Sequence, residues 1–381
     1  METTELISSA FWESARPHIA QPEPSLDAFL VTRFPGQGIC AFQTSGSESA
    51  PKWVLLEKRA FQISAEAVNR HFAATAEDRW LITIPSHHVG GFSIFARAFL
   101  SGASVIQSDA KWDPVKFTAQ LGSDAITLTS LVPTQVHDLV QARLTPPPNL
   151  RAIAVGGGGM GIELARNARN LGWPVFQSYG MTETASQIAT QPLAPDSPTT
   201  TLEVLPIWDL TTEPDNRLTV RGPALAIGYA RRSFSGAWTV DPIDPSVGLR
   251  TRDHVRLWTE GDTHFLEFQG RDQDWIKILG ELVYVPPLQT RLDDLATSLG
   301  WPTLPILLAL PDERAENRLV LVTDQSQPEP AKLLARYNDT VSTPIHRISA
   351  ARTVPEIPRS DLGKLKRAEL LKRLHSGPSD R

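Results

Sequence analysis

"RAIAVGGGGMGIELARNARNLG", residues 151–172, is the stretch on which the fold turns. A short apolar run reads as a strand, the glycines as a tight turn, and "IELARNARNLG" as a helix. "WLITIP" (80–85) before "GGFSIFARAFLSGA" (90–103) has the same order, and this alternation through the first two thirds of the chain argues for an α/β architecture with mainly parallel strands. Residues 156–161, "GGGGMG", also satisfy G-x-G-x-x-G. A dinucleotide site of that kind needs an acid about 20 residues on, at the tip of the next strand. "WPVFQS" (173–178) ends without one, and Glu183 lies beyond a glycine turn. No G-x-x-x-x-G-K-[ST] occurs. Taken alone, the glycines serve equally as a strand-to-helix turn or as a ligand cradle.

At 381 residues the chain exceeds the size at which one hydrophobic core stops growing, so a large domain plus a smaller one, or three, is expected. Hydrophobic residues are 41% and charged residues 21%, with no apolar run long enough to span a bilayer, which argues against membrane insertion. The N-terminal "METTELISSAFWESARPH" has acids where a signal peptide has lysines, and no apolar centre, so the chain is expected to be cytoplasmic. Cys40 is the only cysteine, excluding intrachain disulfides and cysteine-rich zinc sites and suggesting a small buried residue. A net charge of -5 gives no broad basic footprint, and no nucleic-acid partner is expected. The basic tail "GKLKRAELLKRLH" suits a terminal amphipathic helix.

Residues 191–216 are rich in Pro, Thr and Asp and read as an irregular passage between subdomains with short strands at most. "RLTVRG" and "HFLEFQG" follow as a more β-rich zone. From about Asp272 a fresh set of strand-like and helix-like stretches is enough for an independent α+β domain.

Six stretches fall in one order: "TSGSESAPK" (44–52), "GGGGM" (156–160), "YGMTE" (179–183), "TRD" (251–253), "GRDQDWIK" (270–277) and "PRSDLGKLKR" (358–367). In that order and rough spacing they resemble the adenylate-forming acyl-CoA synthetase and ligase superfamily, over nearly the whole chain. "PSHHVGGFSIFAR", "SLVPTQ" and "QSYGMTETASQIAT" are similar, less specifically, to the o-succinylbenzoate-CoA ligases of menaquinone biosynthesis. The resemblance implies a large N-terminal domain of α/β subdomains plus a β-rich part (1–270), a hinge (271–274), and a small mobile α+β C-terminal domain (275–381). It implies an acid-thiol ligase that uses ATP, CoA and Mg²⁺ and acts on o-succinylbenzoate, with another aryl- or acyl-CoA ligase or a non-catalytic nucleotide-binding homologue as the competing expectations. A substrate carboxylate attacks the α-phosphorus of ATP, expelling pyrophosphate, and the CoA thiol then attacks the acyl adenylate.

Carried over residue by residue, the resemblance assigns Lys364 to bridging the carboxylate and α-phosphate, where a cation facing developing charge is worth about 10²-fold in rate; alone it would read as a solvated lysine. Glu183 resembles the magnesium-binding glutamate, although the same acid could open a helix over "ETASQIAT". Thr182 would donate to the α-phosphate, Tyr179 would stack on adenine beside Gly180, and Gly157 and Gly158 would line the nucleotide. Asp253 resembles the ribose acceptor, with Arg252 in place of the family's glycine. Arg271 resembles the arginine near the ribose, with Gln273 where the hinge aspartate usually stands. Gly280 would line the CoA tunnel, and a glutamate expected shortly after it is missing. His88 resembles the histidine that gates the acyl site; with His87 it could instead be structural or half of a metal site. A substrate with two carboxylates needs a cation for the one not activated. Arg97, with Ser130, Thr134, Ser186 and Gln187 as polar lining, is the candidate; a buried arginine paired with a core acid is the competing reading.

In the phosphate loop Thr44, Ser45, Gly46, Ser47, Pro51 and Lys52 match the family pattern, while Glu48 replaces a threonine and Ser49 a glycine. A carboxylate there repels a triphosphate by roughly 1 kcal/mol even in water. The expectation is that Glu48 points to solvent, with Lys52 compensating. The stretch before the loop is shorter than in larger members, which trims the wall of the acyl site; a homodimer could cover the gap.

Overall fold

In the computed structural model, which describes residues 2–44, 52–108, 111–193, 200–233, 235–301, 303–325, 329–359 and 365–376, the run at 152–155 is a strand buried on both faces. Its side chains alternate by the period of two of an extended chain. Ala152 and Ala154 face one core with Phe61, Phe92 and Phe95, while Ile153 and Val155 face another with Leu121, Val136 and Ala165. A strand covered on both faces needs helices on both sides, as parallel sheets have.

That strand sits in a parallel set ordered Ser104–Gln107, Arg79–Ile82, Leu128–Leu131, Ala152–Val155, Val175–Met181. Chain order reverses between Arg79–Ile82 and Leu128–Leu131, and in such sheets ligands bind beyond the carboxyl ends of the strands. The expected α/β class is thereby borne out. Beyond Val175–Met181 the sheet continues through Ser186–Thr190, Leu202–Val204, Thr263–Arg271, Leu249–Glu260, Arg217–Arg221 and Asp209–Thr212, eleven strands among the described residues. These include the β-rich zone read from "RLTVRG" and "HFLEFQG". A second sheet orders His18–Ile19, Ile39–Thr44, Lys52–Glu57, Gly228–Arg232 and Trp238–Pro242.

One local reading is corrected. "ETASQIAT" does not form a helix: Thr182–Thr184 is a single 3₁₀ turn, Ala185 takes φ 56°, and Ser186–Thr190 returns as a strand against Val175–Met181. The β-branched Ile188 and Thr190 suit that strand. Gly180 makes the return possible, because a Cβ there would lie 1.8 Å from the carbonyl oxygen of Ser186.

Contacts divide the chain into Met1–Gln269 and Gly270–Arg381. The second unit has a hairpin, Trp275–Ile278 with Glu281–Tyr284, and a sheet ordered Ile306–Asp312, Glu316–Asp324, Ile348–Val354. Its helices Pro286–Ser298 and Pro330–Asp339 pack Leu292, Ala296, Leu333 and Tyr337 into a core of its own, and Arg367–Ser376 is the expected C-terminal helix. Among the described residues, no helix is long and apolar enough to cross a membrane.

Candidate functional site

Lys52 begins the second strand of the hairpin that brackets the loop, directly opposite Thr44, whose hydroxyl donates to its carbonyl at 3.4 Å. Its ammonium points to the 3₁₀ turn and lies 3.5 Å from Oε1 of Glu183. Tyr229, on the strand paired beside Lys52–Glu57, completes the group. Its phenol donates to the same Oε1 at 3.0 Å, and its ring centroid lies 3.7 Å from the Lys52 ammonium. Burial first, then the neighbouring carboxylate, pushes the Tyr229 phenol above its ordinary range, so it stays a donor at neutral pH. The Ala226 amide holds the Glu183 carbonyl at 2.8 Å, fixing the turn that presents the carboxylate.

Tyr179, near the carboxyl end of Val175–Met181, donates to Oδ2 of Asp253 at 2.6 Å and lies beside Phe268, centroids 5.7 Å apart. Asp253 is buried on its strand, while Arg252, in place of the family glycine, is exposed and projects to the other face. The glycine turn after Val155 lies at the neighbouring strand end. Gly157 has φ +79°, a conformation that side chains resist, and Gly158 lies over Pro133.

Arg97, on helix Val89–Ser101, is 1% exposed. Nη2 donates to Ser186 Oγ at 2.9 Å, Ser93 Oγ lies 3.4 Å from the same hydroxyl, and the guanidinium stands 5.5 Å from the Trp80 ring. Nε and Nη1 have no hydrogen-bond partner among the described residues, which also offer Arg97 no carboxylate. The competing expectation of a core acid is therefore not met there. Burial lowers the guanidinium pKa to about 9, and it remains a cation at neutral pH. Such a cation can take an anionic substrate group at little further desolvation cost.

The other predicted residues are placed unequally. His88 immediately precedes the Arg97 helix without a side-chain capping bond, its ring 4.3 Å from that of His87. Ser130 is buried at the end of its strand, its carbonyl taken by Thr83 at 2.7 Å, and Thr134 lies in the first turn of the following helix. Gln187 is locked into the sheet, its side-chain oxygen accepting from Thr190 at 2.7 Å and its carbonyl from Trp208 at 3.0 Å, so its oxygen is committed to the fold. Thr182 opens the 3₁₀ turn of Glu183. Arg271 and Gly280 belong to the second unit: the Arg271 amide donates to Asp274 at 2.8 Å, and Gly280 forms the hairpin tip with φ +80°. Ser45, Gly46, Ser47 and Lys364 lie outside the described residues, as do Glu48, Ser49 and Pro51.

Sequence reasoning missed Tyr229, Ser93, Trp80 and Phe268. Ser93 sits one helical turn before Arg97, a spacing that could have flagged it. Tyr229 carries no such signal, since it meets Glu183 only through strand pairing across 46 positions. A separate cavity of about 530 Å³ lies under the N-terminal helices, lined by Phe11, His18 and Lys58 among others, none of them predicted. The Lys58 ammonium there is spent on Phe11 O (2.7 Å), Ser14 O (3.1 Å) and Ser14 Oγ (2.9 Å), tying that segment to the start of helix Lys58–Phe72.

The AMP-binding enzyme family model matches residues 27–229. A 2-succinylbenzoate–CoA ligase of Bacillus subtilis is 29% identical over 271 residues, 65% of this chain and 52% of the relative. One from Listeria monocytogenes is 26% identical over 377 residues, 93% of this chain and 74% of the relative. The chain spans about half the length of the first curated relatives it matches. Among solved structures, the o-succinylbenzoate coenzyme A synthetase of Bacillus subtilis in complex with ATP and magnesium ion has a TM-score of 0.70 at 25% identity, covering 87% of this chain and 69% of that one. The Bacillus subtilis synthetase in complex with its acyl-adenylate intermediate has the same fold, with a TM-score of 0.71 at 21% identity over 97% of this chain and 81% of that one.

Proposed function

Because the chain belongs to the AMP-binding enzyme family, we propose that it is an ATP- and CoA-dependent acid-thiol ligase acting on o-succinylbenzoate in the cytoplasm, where both cosubstrates are found. The observation that carries the substrate choice is Arg97, a buried guanidinium with two nitrogens that have no partner, and no acid to neutralise it, among the described residues. A second carboxylate on the substrate fits that position.

In this reading Tyr179 stacks on adenine and Asp253 accepts from the ribose. Thr182, the loop from Thr44 to Lys52 and the turn at Gly157 and Gly158 surround the phosphates. Lys364 neutralises charge as a carboxylate oxygen bonds to the α-phosphorus and the bond to the pyrophosphate leaving group breaks. The thiol sulfur of CoA then bonds to the acyl carbon, AMP departs, and the thiol proton passes to solvent. His88 borders the acyl group. Arg271 and Gly280 keep the ribose and pantetheine roles that the resemblance assigns them.

The residues present fit Mg²⁺. Glu183 offers a hard oxygen ligand, and no cluster of three acids, histidines or cysteines occurs among the described residues. A single protein carboxylate is the donor set Mg²⁺ takes when phosphates and water supply the rest. When bound, it would neutralise phosphate charge; Glu183 would hold it and Lys52 would turn to the phosphates.

The test is ATP-dependent pyrophosphate release with o-succinylbenzoate, with and without CoA, beside Lys364→Ala. CoA-dependent turnover that the variant loses supports the ligase. Absence of release with this acid, while another carboxylic acid drives it, would overturn the substrate.

A further inference from the structure

We propose that Tyr229 is a positioning residue that couples the metal-binding glutamate to the phosphate-loop lysine, an inference that rests on the ligase reading of this site. One side chain touches both partners by different means. Its hydroxyl donates to Glu183 Oε1 at 3.0 Å, and its ring face carries the Lys52 ammonium, 3.7 Å from the centroid. The ammonium is itself 3.5 Å from that same Oε1. The three groups form a closed triangle. Its members come from three places in the chain: the strand that leaves the phosphate loop, the 3₁₀ turn, and the strand paired beside the first.

In this arrangement the site neutralises itself before nucleotide arrives. Glu183 and Lys52 carry opposite charge and are both partly screened from water, with side-chain exposures of 15% and 24%. Glu183 would exchange its contact with Lys52 for a divalent cation when one is bound, and Lys52 would then be free to turn toward the phosphates. Tyr229 does not leave in that exchange. Its hydroxyl keeps one carboxylate oxygen occupied and presents the other, and its ring keeps the freed ammonium within reach by a cation–π contact. Both strands flanking the pair are fixed by register, Tyr229 opposite Val54 and Ala230 opposite Trp53, so the ring has little freedom to follow a moving partner. Acidic and cationic halves of the site are therefore switched together, and the hydroxyl and the ring have separable effects.

ATP binding to the full-length protein, followed by titration calorimetry with and without Mg²⁺ and without any acid substrate, tests this. Tyr229→Phe keeps the ring: Mg²⁺-free ATP affinity is expected within twofold of the parent, while the Mg²⁺ concentration for half-maximal enhancement rises about tenfold, the scale of one hydrogen bond to a charged group. Tyr229→Leu removes the ring as well, and Mg²⁺-free ATP affinity then falls several-fold too. In a Glu183→Gln background, Tyr229→Phe is expected to add nothing to the Mg²⁺ requirement. An unchanged Mg²⁺ requirement in Tyr229→Phe, equal losses in both tyrosine variants, or additivity with Glu183→Gln overturns the coupling and leaves the ligase reading standing. Failure of the parent protein to bind ATP at all removes both.

Discussion

The Tyr179 phenol and the Asp253 carboxylate meet at 2.6 Å although three strands separate theirs in the sheet order. In a flat sheet four strand spacings would put them about 19 Å apart. The sheet must therefore curl at this end, and the curl brings the Tyr179 and Asp253 side chains together.

Asp253→Ala is expected to weaken ATP binding by about 10- to 100-fold, the worth of a hydrogen bond to a charged acceptor. Tyr179→Phe keeps the ring and should lose about threefold or less. Calorimetric titration with ATP checks both; equal losses would show that Asp253 acts only through Tyr179.

Arg97→Met should lower kcat/KM for o-succinylbenzoate by about 100-fold or more and affect a monocarboxylic acid much less. Thermal melting should show no loss of stability, since an unpaired buried charge is replaced by an apolar chain of similar length. A large drop in melting temperature, or equal loss on both acids, would make Arg97 structural.

Asp78 tests the frame behind the site. It is held by two of the three Arg151 guanidinium nitrogens, Nε at 2.8 Å and Nη2 at 2.7 Å, and by the Thr127 hydroxyl at 2.7 Å, joining the amino ends of three strands. Burial pushes its pKa up, but Arg151, the Thr75 amide and Thr127 together hold it below the usual carboxylate range. Its contribution is present above the unfolded value of about 3.9 and is lost as pH falls through the lower folded value. Asp78→Asn should cost about 2–3 kcal/mol at pH 7 and flatten the acid limb of the stability curve. Urea titrations between pH 7 and pH 3 read both effects.

Gly180→Ala should abolish soluble folding or lower stability by about 3 kcal/mol or more, because its Cβ would fall 1.8 Å from a carbonyl oxygen. Gly159→Ala, where a Cβ meets nothing within 4 Å, should be neutral. Melting curves of the pair separate steric need from mere glycine content.

Local pattern was enough for much of this protein. The strand-to-helix alternation, the glycine turn after Val155, the buried Cys40 and the helical placement of Arg97 were legible, because a period of two or 3.6 and the conformations open to glycine are properties of neighbouring residues. The reading of "ETASQIAT" failed for the same reason in reverse: eight residues suit a helix locally, and pairing with Val175–Met181 overrode them. What only the tertiary structure decided is which polar side chains meet. Lys52 reaches Glu183 across 131 positions, Arg97 reaches Ser186 across 89, and Tyr179 reaches Asp253 across 74. No periodicity carries such pairs. They are set by strand order, register and sheet curl, which exist only once both faces of the sheet are buried.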